Sequence, residues 1–389
     1  MKIGILTHYY NSVNYGGNLQ AYALCKLLEE LGHQPEQLQI DMADDYRDLL
    51  ATKKERMTQR IKKLVKPAAR LLPRYRKKWQ AKKATLQRLQ AAFHRFNREL
   101  IPHSQQVYTP KNIKSAPALY DVFITGSDQV WNPIWYFPPF FLDFAPASVP
   151  KLSYAASIGQ TRLPESVQTR YRQHLKDFLA VSVREENGVS LLADIAPVQL
   201  QWVLDPTLLL SRESWQQVAE APALDTPYLF CYFLGNDPAV RRLATDFARA
   251  KGLTLVTIPN ATGLQNTNDT DFGDIRLADP SPEAFLGLIE NAEHIFTDSF
   301  HATAFSLIFR RQFFTFPRPK HGSSRITSLL QLFDARDRFR QDTEVSVSEL
   351  IFLPALDYAA PSGKFTQARE ASIAFLQDNL QKAKEMLAL

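Results

Sequence analysis

Residues Glu293–Arg310, EHIFTDSFHATAFSLIFR, restrict the fold more than any other stretch of the chain. Ile295, Phe296 and Thr297 read as a buried strand that stops at Thr297-Asp298-Ser299, and Ala302, Phe305, Ser306, Ile308 and Phe309 then recur at helical spacing. A strand that runs through a short polar turn into a helix is the repeating unit of open α/β sheets, where ligands bind at the carboxyl ends of the strands. The first amides of such a helix have no intrahelical partners and lie at the positive end of its dipole, which favours phosphate or carboxylate. His301 stands at this junction and is a candidate anion contact or proton donor, with Ser299 beside it as a substrate-binding candidate. A half-buried packing role is the alternative reading of the imidazole.

The same rhythm recurs along the chain. KIGILT (residues 2–7) predicts a strand, a loop around Asn14-Tyr15-Gly16-Gly17 follows, Leu19–Leu31 runs at helical spacing to Gly32, and Leu38–Ile40 offers the next strand. This βαβ opening is of nucleotide-binding type, but without GxGxxG it does not indicate a dinucleotide. Three more strands are expected: Asp121–Thr125 ending in Gly126-Ser127-Asp128-Gln129, Lys151–Ala155 ending in Ser157-Ile158-Gly159, and Leu179–Val183 ending in Arg184-Glu185-Glu186. Proline and polar residues between positions 205 and 225 mark a boundary. Beyond it come strands over Pro227–Leu234, Leu253–Ile258 and Gln312–Phe316, a helix over Pro238–Lys251 closed by Gly252, and a helix opened by Ser281-Pro282 that ends near Asn291. The loop His321–Arg325 precedes an apolar helix over Ile326–Phe333, and Glu370–Leu389 predicts a terminal helix. A chain of 389 residues at 45% hydrophobic content exceeds one ordinary core. We expect an α/β protein with an N-terminal domain over residues 1–210, a C-terminal domain over 211–365 and a helix over 366–389.

Charge is concentrated in one place. The formal total is +6, yet residues 51–98 hold 17 Lys plus Arg against the single acid Glu55, so this segment carries +16 and the remainder −10. It falls in a stretch, residues 47–100, of helical composition that Pro67 and Pro73 interrupt, and it breaks the α/β rhythm as a basic helical insertion. Ile61, Leu64, Val65, Ala68, Leu71, Leu72, Tyr75 and Trp79 recur at helical spacing among the basic residues, the pattern of an interfacial helix. We expect residues 51–98 to dock on an anionic membrane surface, each basic residue contributing roughly 1 kcal/mol. A solvated helical hairpin packed on the N-terminal domain is the alternative, and a nucleic-acid patch ranks last. Cys25 and Cys231 fall in apolar segments without a CxxC pattern and read as buried thiols of a reducing compartment. No apolar run reaches the ~18 residues of a spanning helix and no secretory signal opens the sequence, so the expected location is cytoplasmic, with peripheral membrane contact.

Asp128, Arg184 and His301 each follow a strand pattern. Arg184 offers a planar fork for carboxylate or phosphate, or else an ion-pair partner for Glu185 or Glu186. Asp128 suits a general base on a hydroxyl, or else a helix cap. The loop Asn14–Asn18 suits close approach of backbone amides to an anion, because Gly16 and Gly17 lack a Cβ, or else forms a plain tight turn. Asn14, Gly16, Gly17, Ser127 and Gln129 therefore join Ser299 as substrate-binding candidates. The histidines are scattered, with no HxH or HExxH, so no metal or other cofactor is expected, and the lack of GxSxG speaks against a serine nucleophile.

The strings NYGGNLQAYAL, TGSDQVWNP, KLSYAASIG, SVREENG, VLDPTLL, TDSFHATAFSLIF and GSSRI, in this order from residue 14 to residue 326, together resemble the polysaccharide pyruvyl transferase family. The likeness covers most of the chain except residues 47–100. It implies two Rossmann-like domains in a glycosyltransferase-B-like arrangement, an active site in the cleft, phosphoenolpyruvate as donor and a hydroxyl pair of a glycan, such as one on a lipid carrier, as acceptor. Carried over by position, it makes Arg184 in SVREENG a donor-anion ligand, His301 in SFHA a donor-contacting acid–base residue, and Asp128 in GSDQ the candidate base. Ala302 stands where the family often has glycine, which adds a methyl near the presumed anion. Arg325, just before its helix, is a candidate second anion contact, with surface solvation as the alternative. The main rival function is a nucleotide-sugar-dependent glycosyltransferase of similar architecture.

Overall fold

The structure, a computed structural model, describes residues 1–41, 73–259, 267–318, 324–342, 345–359 and 362–388. KIGIL forms β1 (Lys2–Leu6), buried at all but its first residue, and α1 (Tyr15–Glu30) begins at Asn14, whose side chain accepts a hydrogen bond from the Gly17 amide. The expected loop over Asn14–Gly17 is thus the first turn of the helix. An asparagine cap starts α1 upstream of the apolar spacing that marks its buried face. β2 (Gln34–Gln37) lies beside β1, with Lys2 opposite Gln34, upstream of the Leu38–Ile40 run that suggested the strand. Pro35 is tolerated because β2 is an edge strand, while Leu38 and Ile40 are buried beyond it.

After α2 (Pro73–Leu100), the chain alternates through β3 (Val122–Thr125), β4 (Lys151–Ala156), α3 (Glu165–Leu175), β5 (Ala180–Val183), α4 (Glu186–Leu192) and β6 (Leu200–Trp202). Among the described residues these strands form a parallel sheet of six in the order β2-β1-β3-β4-β5-β6. Strands β3, β4 and β5 are buried at every residue, as strands covered on both faces must be.

A short α5 (Arg212–Gln216) leads to the second series, β7 (Tyr228–Tyr232), α6 (Pro238–Lys251), β8 (Thr254–Thr257), β9 (Ile275–Arg276), α7 (Pro282–Glu290), β10 (His294–Thr297), α8 (Phe300–Ile308) and β11 (Gln312–Thr315). These strands are also parallel, in the order β11-β10-β7-β8-β9. The punctuation works as its chemistry suggests: Gly252 closes α6 in the left-handed region (φ 63°), and the Ser281 hydroxyl accepts from the Ala284 amide with Pro282 in the first turn of α7. Then come α9 (Ser324–Leu332), α10 (Val347–Phe352) and α11 (Gly363–Ala388), the last starting earlier than Glu370. α11 returns to the first unit, where the Ser372 hydroxyl accepts from the Leu204 amide at 2.9 Å and Arg369 Nη2 donates to the Leu209 carbonyl at 2.7 Å. The expected α/β architecture, two Rossmann-like units in a glycosyltransferase-B-like arrangement, is what the chain adopts.

Of the basic insertion, residues 47–72 lie outside the described residues, and with them the apolar series Ile61–Leu72. The described end of α2 is a strut between the two units. Leu89, Phe93 and Phe96 are buried, and Tyr15 of α1 sits 5.0 Å from Phe93 and stacks at 4.4 Å on Phe285 of α7. Arg88 pairs with Asp279, and Arg95 Nη2 lies 3.5 Å from Glu283. This corrects the docking expectation for Leu89–Arg98: an apolar stripe that fits a protein groove is buried there, and part of the basic charge is matched by acids of the second unit.

Candidate active site

The carboxyl ends of both sheets face one cavity of about 450 Å³ between the units. Asn14, Gly16, Asp128, Gln129, Ser299, His301 and Arg325 line it. Gly17, Ser127 and Arg184 do not. Ser127 is fully buried, its amide donating to Gln20 Oε1 at 2.9 Å and its hydroxyl directed to the Ala155 carbonyl at 2.9 Å and Asp205 Oδ2 at 3.2 Å, so it has nothing left for a substrate. The Gly17 amide is satisfied by Asn14 Oδ1, and a Cβ there would meet the His8 carbonyl oxygen at 2.5 Å; helix packing, not an anion, explains that glycine. Ser299 caps α8, its hydroxyl accepting from the Ala302 amide at 3.4 Å. Ala302 is buried in the core and does not line the cavity, so its methyl stays clear of an anion.

Arg184 is the largest departure from expectation. Its Nη1 lies 2.7 Å from Asp205 Oδ2, its Nη2 lies 3.3 Å from Asp128 Oδ1, and only 1% of its side chain is exposed. The Phe300 ring covers the guanidinium at 4.8 Å. A buried guanidinium requires buried counter-charge, and both of its arms are held by carboxylates, so Arg184 stands behind the cavity wall and does not present its fork to a donor. Glu185, which with Glu186 was the alternative partner, instead accepts from the Ser157 hydroxyl and the Ile158 amide and lies 3.8 Å from Arg325 Nε.

His301 occupies the first turn of α8, with Nε2 3.5 Å from Asp205 Oδ2, a charge contact without hydrogen-bond geometry. A Cβ on Gly16 would fall 1.9 Å from His301 Nδ1. The first turn of α1 therefore approaches the imidazole in a way only glycine permits, and residues of both units fix one ring.

Burial pushes the Asp205 carboxyl up, but His301 and then Arg184 outweigh it and hold it well below the usual carboxylate range. Asp128 follows the same logic: burial raises it, while Arg184, His301, His8 and Arg325 together lower it on balance. An ionised, paired carboxylate is a weak base, which makes Asp128 a charge partner before it is a proton acceptor. Its backbone sits at φ 64°, a conformation uncommon for a non-glycine residue and costing about 1–3 kcal/mol. Burial, reinforced by nearby Arg184, pushes Arg325 down to about 10 against the opposing pull of Glu185 and Asp128.

Sequence reasoning missed Asp205, Arg318 and Tyr232. Asp205 had a signal, the Asp-Pro-Thr turn after an apolar run, but it read as a domain boundary. Its Oδ1 accepts from the Thr207 amide at 3.0 Å while Oδ2 serves Arg184. Among the described residues no cluster of His, Cys, Asp and Glu is arranged to hold a metal ion.

The model of the polysaccharide pyruvyl transferase family matches residues 14–319. The chain belongs to this family. The matched span includes Asp128, Arg184, Asp205, His301 and Arg318 and stops short of Arg325. A polysaccharide pyruvyl transferase is an enzyme of polysaccharide biosynthesis, and its acceptor is a polysaccharide. No curated protein is significantly similar in sequence. Among solved structures, the pyruvyl transferase is similar to a UDP-GlcNAc 2-epimerase from Methanocaldococcus jannaschii, with 10% identity, TM-score 0.55 and coverage of 97% of this chain and 99% of that one. It is similar to one from Rickettsia bellii at 9% identity and TM-score 0.55, covering 99% and 97%. A Neisseria meningitidis enzyme bound to UDP-GlcNAc gives 11% identity and TM-score 0.51, covering 98% and 100%. Likeness at these identities concerns the fold. No described helix of the pyruvyl transferase is long and apolar enough to cross a membrane.

Proposed function

We propose that this pyruvyl transferase takes its pyruvyl group from phosphoenolpyruvate and joins it as a cyclic ketal to two hydroxyls of one glycan sugar. The observation that carries the reading is His301, held between Asp205 of one unit and Gly16 at the wall of a cavity that Arg318 and Arg325 also line. Protonation of the methylene carbon of phosphoenolpyruvate turns the neighbouring carbon electrophilic. One sugar hydroxyl bonds to that carbon, the carbon–oxygen bond to phosphate breaks, and the second hydroxyl of the same sugar closes the ring. Of the two hydroxyl protons released, one balances the proton given to the methylene carbon and the other leaves with phosphate.

His301 is the group suited to give and recover that proton, since an imidazole can both donate and accept one and its ring lines the cavity. Asp205 acts through it, setting a negative charge beside Nε2. Arg318 and Arg325 supply cations for the donor's carboxylate and phosphate. Arg184 acts one layer back, fixing Asp205 and Asp128. No step calls for a metal or other cofactor. A lipid-linked acceptor brings the enzyme to the cytoplasmic face of an anionic membrane, and the charge of residues 51–84, which include the exposed Lys82 and Lys83, supports docking there.

The test is phosphate release from phosphoenolpyruvate across a panel of lipid-linked sugars. Release that requires both donor and acceptor is expected. No release with any acceptor, together with thermal stabilisation by uridine or guanosine diphosphate, would favour the nucleotide-sugar glycosyltransferase instead.

A further inference from the structure

The cavity lining falls into two chemically different groups. His301 and Arg325 act on Asp128 and form a charged cluster, while Tyr232, Leu234, Pro259 and Ala278 add apolar surface beside Asp298, whose carboxylate accepts from the Leu234 and Gly235 amides. Arg318 also lines the cavity, and its charge acts both on Arg325 and on the Tyr232 phenol.

Tyr232 ends β7 and is half-buried. Its ring packs edge-on against Phe285 at 5.1 Å and against Tyr15 at 5.8 Å, which fixes its orientation. Neighbouring tyrosines have their hydroxyls engaged: Tyr15 donates to the Pro280 carbonyl and Tyr228 to the Leu288 carbonyl, each at 2.8 Å. The Tyr232 hydroxyl has no hydrogen-bond partner among the described residues, although the residue lines the cavity. Burial, with Asp298 adding to it, pushes the phenol up, so it remains a neutral O–H that can both donate and accept. A rigid aromatic ring with one free hydroxyl, beside an apolar wall, matches the alternating C–H faces and hydroxyl edges of a sugar ring.

We propose that Tyr232 is a specificity-determining residue for the acceptor, and that this part of the cavity takes a neutral pyranose ring whose free hydroxyl pair points toward His301. The inference rests on the reading of phosphoenolpyruvate as donor, which occupies the charged cluster. Tyr232→Phe removes one oxygen and keeps the packing against Phe285 and Tyr15. In steady-state phosphate release with a lipid-linked neutral hexose, the acceptor KM rises about tenfold in this variant while the KM for phosphoenolpyruvate and the melting temperature stay at wild-type values. An unchanged acceptor KM, an equal rise in both KM values, or a wild-type preference for a uronic acid acceptor would overturn the assignment. Should wild type release no phosphate, the donor reading fails by itself and glycan binding still decides this one. Thermal stabilisation of wild type by the neutral glycan, lost in Tyr232→Phe, supports the assignment; equal stabilisation of both proteins, or none with any glycan of the panel, refutes it.

Discussion

The two walls of the cleft are built from the same module and carry opposite chemistry. In the N-terminal wall the residues after β3 and β6 are carboxylates on a buried arginine that follows β5: Asp128 and Asp205 on Arg184. In the C-terminal wall the residues after β10 and β11 include His301, Arg318 and Arg325, and the one carboxylate among them, Asp298, is taken up by the Leu234 and Gly235 amides. The N-terminal wall is therefore a fixed counter-charge, and the C-terminal wall holds the groups available to a ligand. Neither is complete alone, because Asp205 and Gly16 orient an imidazole that belongs to the other unit.

The harshest way to break this division is to strip the counter-charge. Asp205→Asn leaves Arg184 buried with one carboxylate, and we expect a loss of about 3–5 kcal/mol in urea unfolding. Arg184→Ala should cost a similar amount, with at least ~100-fold lower turnover, since it leaves two buried carboxylates unpaired. A variant of either kind with wild-type stability would mean that the ion-pair network is not what holds this wall.

Gly16→Ala sharpens the comparison, since a methyl placed in the N-terminal unit should silence a histidine of the C-terminal one. The added Cβ falls 1.9 Å from His301 Nδ1, so the ring must move. Turnover should fall by about 100-fold, as a small misplacement of a reacting group costs, and Gly16→Ala combined with His301→Ala should be no worse than His301→Ala alone. Additive losses in the double variant would separate the two residues.

Acid treatment should separate the paired carboxylates from the buried histidines. Asp205 and Asp128 have depressed values in the fold, so their contribution is complete above the unfolded carboxylate value of about 3.9 and is lost as pH falls below it through the folded values. His294, at the start of β10, is pushed down to about 4 by burial, so the unfolded chain binds its proton first and stability drops between pH 6.5 and about 4. Burial lowers His8, His33 and His174 as well, so replacing His294 with Phe should reduce the loss in that upper window without abolishing it. A lower-window change in that variant would contradict the assignment.

The smallest effect belongs to the strut. Arg88→Ala, which loses only a half-exposed pair with Asp279, should change stability by less than about 1 kcal/mol. Vesicle flotation should show binding to anionic but not neutral vesicles if the exposed basic residues of the insertion dock the enzyme; equal binding to both would reject electrostatic docking.

Strands buried on both faces announce themselves as apolar runs, which is why β3, β4, β5 and β10 were legible in the sequence. β2 was not, because an edge strand may contain proline and needs no apolar run. Asp128, Arg184 and His301 stood out in the sequence because each follows a strand. Their roles were not readable, since Arg184 meets Asp205 and His301 meets Gly16 only through the tertiary fold. A lone arginine after a strand looks the same whether it faces a ligand or two carboxylates.

The most direct test is phosphate release from phosphoenolpyruvate by purified His301→Ala beside wild type, with a lipid-linked sugar that the wild type accepts. The account predicts at least ~100-fold slower release by a variant that remains folded. Release near the wild-type rate would contradict it.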